Sequence, residues 1–263
     1  MLGTQLVVVS DVHLGASPAA TDLAFLDFLD QVPSLGDCLL INGDLFDFWF
    51  SYRRVIPRRN FAITAALAVL ARRMPILMTG GNHDRWGDSF WERDAGIRYA
   101  ADRVSFAAAG RSVTAVHGDG LTEVHRTSAI MHRITRHRLT SWLYRIIHPD
   151  LGIWLVDRMS RHLADSTRDP AVLDHAQEQQ VAWARDHLQR HPDVGVLVMS
   201  HTHRTAAIEM FPGRWYLNPG AWVDGQHFAV VDGSGVTLHQ YDRSLPAAGR
   251  PHLPQGQRNG TEA

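Results

Sequence analysis

The sequence predicts an α/β fold built on a largely parallel sheet, and three features of its 263 residues carry that expectation. Five apolar runs are too short for helices and read as buried strands. Helical periodicity fills the gaps between the first three. Each run gives way at once to a polar cluster.

The runs are QLVVV (5–9), CLLI (38–41), PILM (75–78), SVTAV (112–116) and VGVLVM (194–199). Unbroken apolar character over so few residues suits strands covered on both faces. Between the first two, Phe25, Phe28, Leu29 and Val32 recur at helical spacing. Between the next two, Ile63, Leu67 and Leu70 do the same behind Asn60, a candidate N-cap. Strand and helix in alternation make βαβ units, whose strands run parallel. A helical pattern rich in Arg and His, and also in Leu, Ile, Trp and Met, interrupts this order from about 121. Asp169 and Pro170 then read as the N-cap and first turn of a helix running through Trp183 and Leu188. Beyond residue 200, AAIEMF, RWYLN, HFAVV and VTLHQY are separated by PG, NPG and DGSG, the texture of antiparallel strands with tight turns. The expected organisation is one domain over 1–245, a helical insertion at about 121–170 and a disordered Pro/Gly-rich tail at 246–263.

Composition removes several functions. A formal net charge of −1 provides no basic field for nucleic acid, so none is expected as a partner. All 26 cationic residues are arginine, which excludes a Schiff-base lysine and a lysine-dependent phosphate loop. The single cysteine, Cys38, lies inside an apolar run and reads as a small buried hydrophobe. One cysteine forms no internal disulfide, which fits a reducing, cytoplasmic setting. No targeting segment is read at the start, and no apolar run reaches membrane-spanning length, so a soluble or at most peripheral protein is expected.

The chemistry is expected beyond the strands. QLVVV is followed by Asp11 and His13, CLLI by Asp44 and Asp47, PILM by Asn82, His83 and Asp84, SVTAV by His117 and Asp119, and VGVLVM by His201 and His203. In an open α/β sheet, ligands bind past the carboxyl ends of the strands, so parallel neighbours would gather these clusters. Asp, Asn and His without thiolate suit Mn, Fe or Zn, and the set exceeds what one tetrahedral ion needs, which points to two metals. Taken alone, any one cluster is also what ends a strand or makes a turn.

In order, D-x-H, G-D-x-x-D, G-N-H-D, H-G-D and H-T-H resemble the signature of the calcineurin-like metallophosphoesterases, over about residues 5 to 240. The resemblance implies a four-layer αββα sandwich and two divalent ions, manganese first with iron or zinc as alternatives. It implies Asp11, His13, Asp44 and His203 as ligands of one ion, and Asp44, Asn82, His117 and His201 as ligands of the other. The chemistry would be in-line attack of an activated water on phosphorus. His83 would stabilise charge or protonate the leaving oxygen, with Asp84 orienting it; the alternative for His83 is a structural hydrogen bond at a turn.

Within that superfamily GDLFDFWF (43–50), HGDGL (117–121) and WLYRIIHPDLGI (142–153) resemble the UDP-2,3-diacylglucosamine pyrophosphatases of lipid A synthesis. That resemblance implies a hydrophobic lid formed by the insertion, a UDP-linked acylated sugar or similar anionic lipid as substrate, and peripheral contact with the inner membrane. Asn82 is expected to meet substrate. So are arginines of the insertion, Arg126 and Arg133 with Arg136 and Arg138, which would grip phosphate beside Ile130, Ile134, Trp142 and Leu143. The alternative is an apolar stripe that packs the helix on the body while its arginines face water. Two departures from that branch stand out: the best-known members carry Arg at the place of His83, and they use lysines near substrate. A phosphoesterase acting on another nucleotide-linked or phosphorylated lipid, and a non-catalytic scaffold on the same fold, are the other functional readings.

Overall fold

The computed structural model describes residues 1–15, 18–87, 89–121, 137–156, 158 and 170–242. Its first sheet holds β1 (Leu6–Val9), β2 (Cys38–Asn42), β3 (Ile76–Thr79) and β4 (Arg98–Ala100), parallel to one another. Helix α1 (Ala19–Leu35) connects β1 to β2, and α2 (Phe61–Ala71) lies between β2 and β3. A short helix, α3 (Phe90–Arg93), precedes β4. The second sheet is built from β5 (Arg103–Ala108), β6 (Arg111–Val116), β7 (Val196–Val198), β8 (Ala206–Phe211) and β9 (Arg214–Asn218). There β6, β7 and β9 run parallel, and β5 and β8 are antiparallel edges. Helix α4 (Arg138–Ile146) and helical backbone over 149–156 lie between β6 and α5 (Pro170–Arg190), in the segment expected as an insertion, and α5 leads into β7.

The chain then returns to the first sheet. After the short helix α6 (Trp222–Gly225), β10 (His227–Val231) pairs antiparallel with β1, and β11 (Val236–Gln240) pairs with β10. The expected antiparallel strands after residue 200 are therefore two hairpins, one in each sheet. The strands β4 and β5 do not stand out in the sequence: IRYAADRVSFAAAG scatters its few large apolar residues among small and charged ones, and the burial of β5 is correspondingly broken.

Side-chain alternation along each strand explains the layers. Leu6, Val8, Cys38, Leu40 and Leu77 meet Val113, Ala115, Val196, Val198 and Leu217 between the sheets. Their neighbours Val7, Val9, Leu39, Ile41, Ile76 and Met78 face the other way, onto Phe25, Phe28, Leu29 and Val32 of α1 and Ile63, Leu67 and Leu70 of α2. On the far side, Leu197 and Met199 pack on Ala184 and Leu188 of α5. Three apolar layers between four layers of structure make the αββα sandwich. Cys38 is buried between the sheets and its thiol is pushed up to about 12, chiefly by burial, as befits an inert hydrophobe.

Asn60 does stand at the start of α2, but its side chain caps nothing: a turn of tighter helix over Arg58–Asn60 continues the chain into α2, and the Asn60 carbonyl instead accepts from Thr64 Oγ1 at 2.7 Å. Pro170 opens α5 as expected, whereas Asp169, much of the insertion and the tail from 243 lie outside the described residues.

Leu40 touches both sheets and is fully buried. Leu40→Ala is expected to lower unfolding free energy by about 2–5 kcal/mol, with an unchanged denaturant slope, as read by urea unfolding.

Candidate metal centre

The parallel strands of the two sheets deliver their polar loops to one place. The loops are knitted by their backbones first: Asp11 N–H donates to Gly43 O at 3.2 Å, and Val12 and His13 N–H both donate to Asp44 O at 2.9 and 3.0 Å. Asn42, at the end of β2, ties three strands together. Its Nδ2 donates to Val116 O (3.1 Å) and Ser200 Oγ (2.7 Å), and its Oδ1 accepts from Thr79 Oγ1 (2.9 Å).

Aiming so many side chains inward distorts the chain. Seven non-glycine residues have positive φ among those described, and five are Asp11, His13, Asp44, His201 and His203. Left-handed backbone is unfavourable for such residues, and its concentration here marks a site that the surroundings over-determine. Close approach adds a second demand. A Cβ on Gly81 would lie 2.1 Å from Asp44 Oδ1, and one on Gly43 would lie 2.4 Å from His117 Nδ1.

The ligand atoms fall into three groups, Asp11/His13/His203, Asp44/His117/His201 and His13/Asp44/His83; within each, one atom per residue lies within 4.8 Å of the others. His117 Nε2 is 3.2 Å from Asp44 Oδ2 and 3.9 Å from Asp11 Oδ1, without the alignment of a hydrogen bond. Asp11 Oδ1, Asn82 Oδ1 and His117 Nε2 are buried atoms with no hydrogen-bond partner. Orphaned polar atoms of this kind are costly unless something else satisfies them, and Asp11 Oδ1 and His117 Nε2, 3.9 Å apart in the cluster that also gathers His13, Asp44, His201 and His203, fit divalent cations. Asp44, shared by two groups, is the natural bridge.

Protonation follows from burial and charge. Burial would raise Asp11, but the His203 imidazole 3.5 Å away, aided by the charge of His117, brings it down to about 2. Asp44 is likewise held well below the carboxylate range, the charges of His117 and His83 overcoming burial. His13 drops to about 3 and His201 to about 4, mainly through burial and then through a neighbouring histidine, His83 and His117 respectively. His117 and His203 go the other way: against burial, Asp44 raises the first, and the carboxylates of Asp11 and Asp224 lift the second to about 10.

His83 and Asp84 take different parts. The His83 ring stands edge-on to His13 at a centroid distance of 4.8 Å, and its Nδ1 lies 2.7 Å from Asp47 O. Its backbone N–H donates to Asp44 Oδ1 at 2.9 Å. Asp84, expected to orient His83, instead accepts from the backbone: Gly81 and Asp44 N–H on Oδ1 (2.8 and 3.2 Å), Leu45 and Phe46 N–H on Oδ2 (2.7 and 3.4 Å). A short acidic side chain in the G-N-H-D turn is close enough to satisfy the amides of both turns, which is why the carboxylate goes there. Burial, then the charge of Asp44, pushes it up to about 6.

Thr202, between the two histidines of H-T-H, belongs to a buried network. It donates to Gln177 Oε1 (2.6 Å) and accepts from Asn218 Nδ2 (2.9 Å). Gln180 holds the same loop by donating to Ser200 O (2.9 Å) and accepting from Tyr216 OH (2.7 Å). Arg85 binds Asp119 of the H-G-D turn and Asp102, each at 3.0 Å. None of Asn42, Arg85, Gln177, Gln180 or Asp224 was singled out from sequence, because only the paired chain segments reveal their partners.

The insertion leans on these loops through aromatic rings. Tyr144 of α4 meets Phe48 (5.7 Å), Phe50 (4.7 Å) and Trp86 (6.2 Å, stacked). The opposite stripe, Leu139, Trp142, Leu143 and Ile146, is exposed, Trp142 at 57% and Ile146 at 65%, and Leu151, Trp154 and Leu155 continue it. Trp142 and Leu143 thus do not serve to pack the helix on the body. Arg126, Arg133, Arg136, Ile130 and Ile134 lie outside the described residues, as does the side chain of Arg138.

Residues 4–205 match the calcineurin-like phosphoesterase family. A protein named UDP-2,3-diacylglucosamine hydrolase from Porphyromonas gingivalis is 25% identical over 257 residues, covering 91% of this chain and 98% of its own length. A protein of the same name from Shewanella baltica is 24% identical over 247 residues, covering 92% and 98%. Among solved structures, Vacuolar Protein Sorting 29 from Cryptosporidium parvum overlaps 92% of this chain and 100% of its own at 13% identity and a TM-score of 0.43.

Two outcomes are expected. A cation can use His203 and His117 only after displacing their protons, so loading should release protons and weaken as pH falls, by about tenfold per unit for each proton displaced; calorimetry in two buffers of different ionisation enthalpy reads both. Asp84→Ala should unpair buried amides and cost about 3 kcal/mol or more of stability, whereas His83→Ala should leave thermal unfolding close to the parent.

Proposed function

The chain belongs to the calcineurin-like phosphoesterase family, and on that premise we propose that it hydrolyses the pyrophosphate of UDP-2,3-diacylglucosamine. The products would be UMP and 2,3-diacylglucosamine 1-phosphate. One observation carries the choice of an acylated substrate: α4 is anchored by Tyr144 on the very loops that hold Asp44 and Asn82, while its apolar stripe stays open to solvent. Contiguous exposed apolar surface of this sort is uncommon on a soluble domain and suits acyl chains or a lipid surface. The relatives named as hydrolases of that substrate support the same reading.

Two divalent cations held by Asp11, His13, Asp44, Asn82, His117, His201 and His203 would supply activation of water and neutralisation of charge on the phosphoryl oxygens, with manganese our choice among them. The protein's own groups do the rest. His83 faces His13 beside the cluster and would hold a proton for the leaving oxygen, its Nδ1 fixed by Asp47 O. Asp84 acts through the backbone of the two turns. Asn82 would meet substrate as well as metal, and Arg126 and Arg133 of the insertion would grip phosphate. We place the enzyme in the cytoplasm, with the exposed stripe resting peripherally on the inner membrane; among the described residues no helix is long and apolar enough to cross one.

A second reading, another nucleotide-linked or phosphorylated lipid, draws on His83 in place of arginine and on the absence of lysine. A non-catalytic scaffold is disfavoured by the complete set of ligand side chains. Incubating the Mn-loaded protein with UDP-2,3-diacylglucosamine should release UMP and 2,3-diacylglucosamine 1-phosphate by mass spectrometry, and Asp44→Ala should release neither. Hydrolysis of a generic phosphodiester without release of UMP would overturn the substrate in favour of the second reading.

A further inference from the structure

We propose that Asp224 is a positioning residue that fixes the ring of His203 for one of the two metals. The inference rests on the dinuclear reading above and extends it to a residue outside the five loop motifs. His203 Nδ1 lies 2.6 Å from Asp224 Oδ2. A carboxylate at that distance accepts, so Nδ1 keeps its hydrogen and the proton that a cation displaces is the one on Nε2, whose lone pair then faces the ion. Nε2 is the atom turned to the cluster, 3.5 Å from Asp11 Oδ1.

Asp224 is exposed, at 57% of its side chain, and an exposed ion pair held loosely would mean little. Here the backbone under it is not loose. Trp222 N–H donates to Ser10 O and Val223 N–H to Asp11 O, both at 3.1 Å, so α6 is bolted to the loop that carries Asp11. Trp222 itself is fully buried against Phe25, Phe28 and Tyr241. His203, with φ of +59°, sits in left-handed backbone, uncommon for a residue with a side chain and held here by its surroundings. One rigid turn therefore sets two things together: the place of Asp11 through its carbonyl, and the rotation of the His203 ring through Asp224. A carboxylate behind a metal-bound histidine raises its basicity and holds its angle, an effect of about 10- to 100-fold in affinity.

The test is Mn2+ titration of the full-length protein, with free Mn2+ counted by electron paramagnetic resonance, and thermal unfolding without metal as a control. The parent should take up two ions. Asp224→Ala should weaken one of the two affinities by about 10- to 100-fold, leave the other within about twofold, and leave the metal-free melting temperature unchanged. Asp224→Asn, which keeps an acceptor but not the charge, should fall between. Parent-like affinity at both sites in Asp224→Ala overturns the assignment, and so does a parallel loss at both sites with a lowered melting temperature. A parent that binds fewer than two ions overturns the dinuclear reading instead.

Discussion

Two carboxylates buried beside each other, Asp11 and Asp44, are the constraint around which the molecule is arranged. Neither can keep its charge cheaply in a dry interior, and among the described residues neither has an arginine as its ion-pair partner. Compensation comes from His13 on the loop of Asp11 itself and from imidazoles brought in by three other loops, from amides of neighbouring turns, and from the cations that the leftover lone pairs invite. Each of those partners must come within a few ångströms, and the left-handed backbone at Asp11, His13, Asp44, His201 and His203 is the local cost of bringing them there. The sandwich absorbs that cost because the strands leading into the loops are buried on both faces and cannot shift.

The central strands and their polar ends were legible in the sequence because both signals are local. Five apolar runs found their places in two sheets, and the polar clusters behind them meet in one cluster, with His201 and His203 in different ligand groups. What stayed hidden was relational. β5 carries its core face on Val104 and Ala108 among charged and small residues, too weak a period to register. The use of Asp84 on four amides, and the pairing of Asp224 with His203, depend on segments far apart in sequence whose approach no spacing encodes. Thr202 illustrates the limit well: an unremarkable residue between two histidines turns out to be buried and bonded on both sides.

The insertion has a different logic from the sandwich. Its helix α4 has one face committed to Phe48, Phe50 and Trp86 and another left open, so its attachment is aromatic and its free side is aliphatic and indole-rich. Arg145 lies over the Phe50 ring at 5.8 Å, adding a cation–π contact to the attachment. Anchoring and display thus fall on opposite sides of a single short helix, and the anchor residues flank Asp47 and Asp84 in the chain.

The return of the chain to its first sheet has a further consequence, for the order of folding. Ser10 Oγ meets Gly220 O across 210 positions, and His201 N–H meets Asp11 Oδ2 across 190. A ribosome must therefore release nearly the whole domain before the cluster can close. Until then the two acidic loops are an unfinished half-shell, with loop closures of this span among the slowest events available to a chain. The order of assembly thus couples completion of the metal pocket to completion of the fold, so a truncated or half-made chain lacks a finished centre.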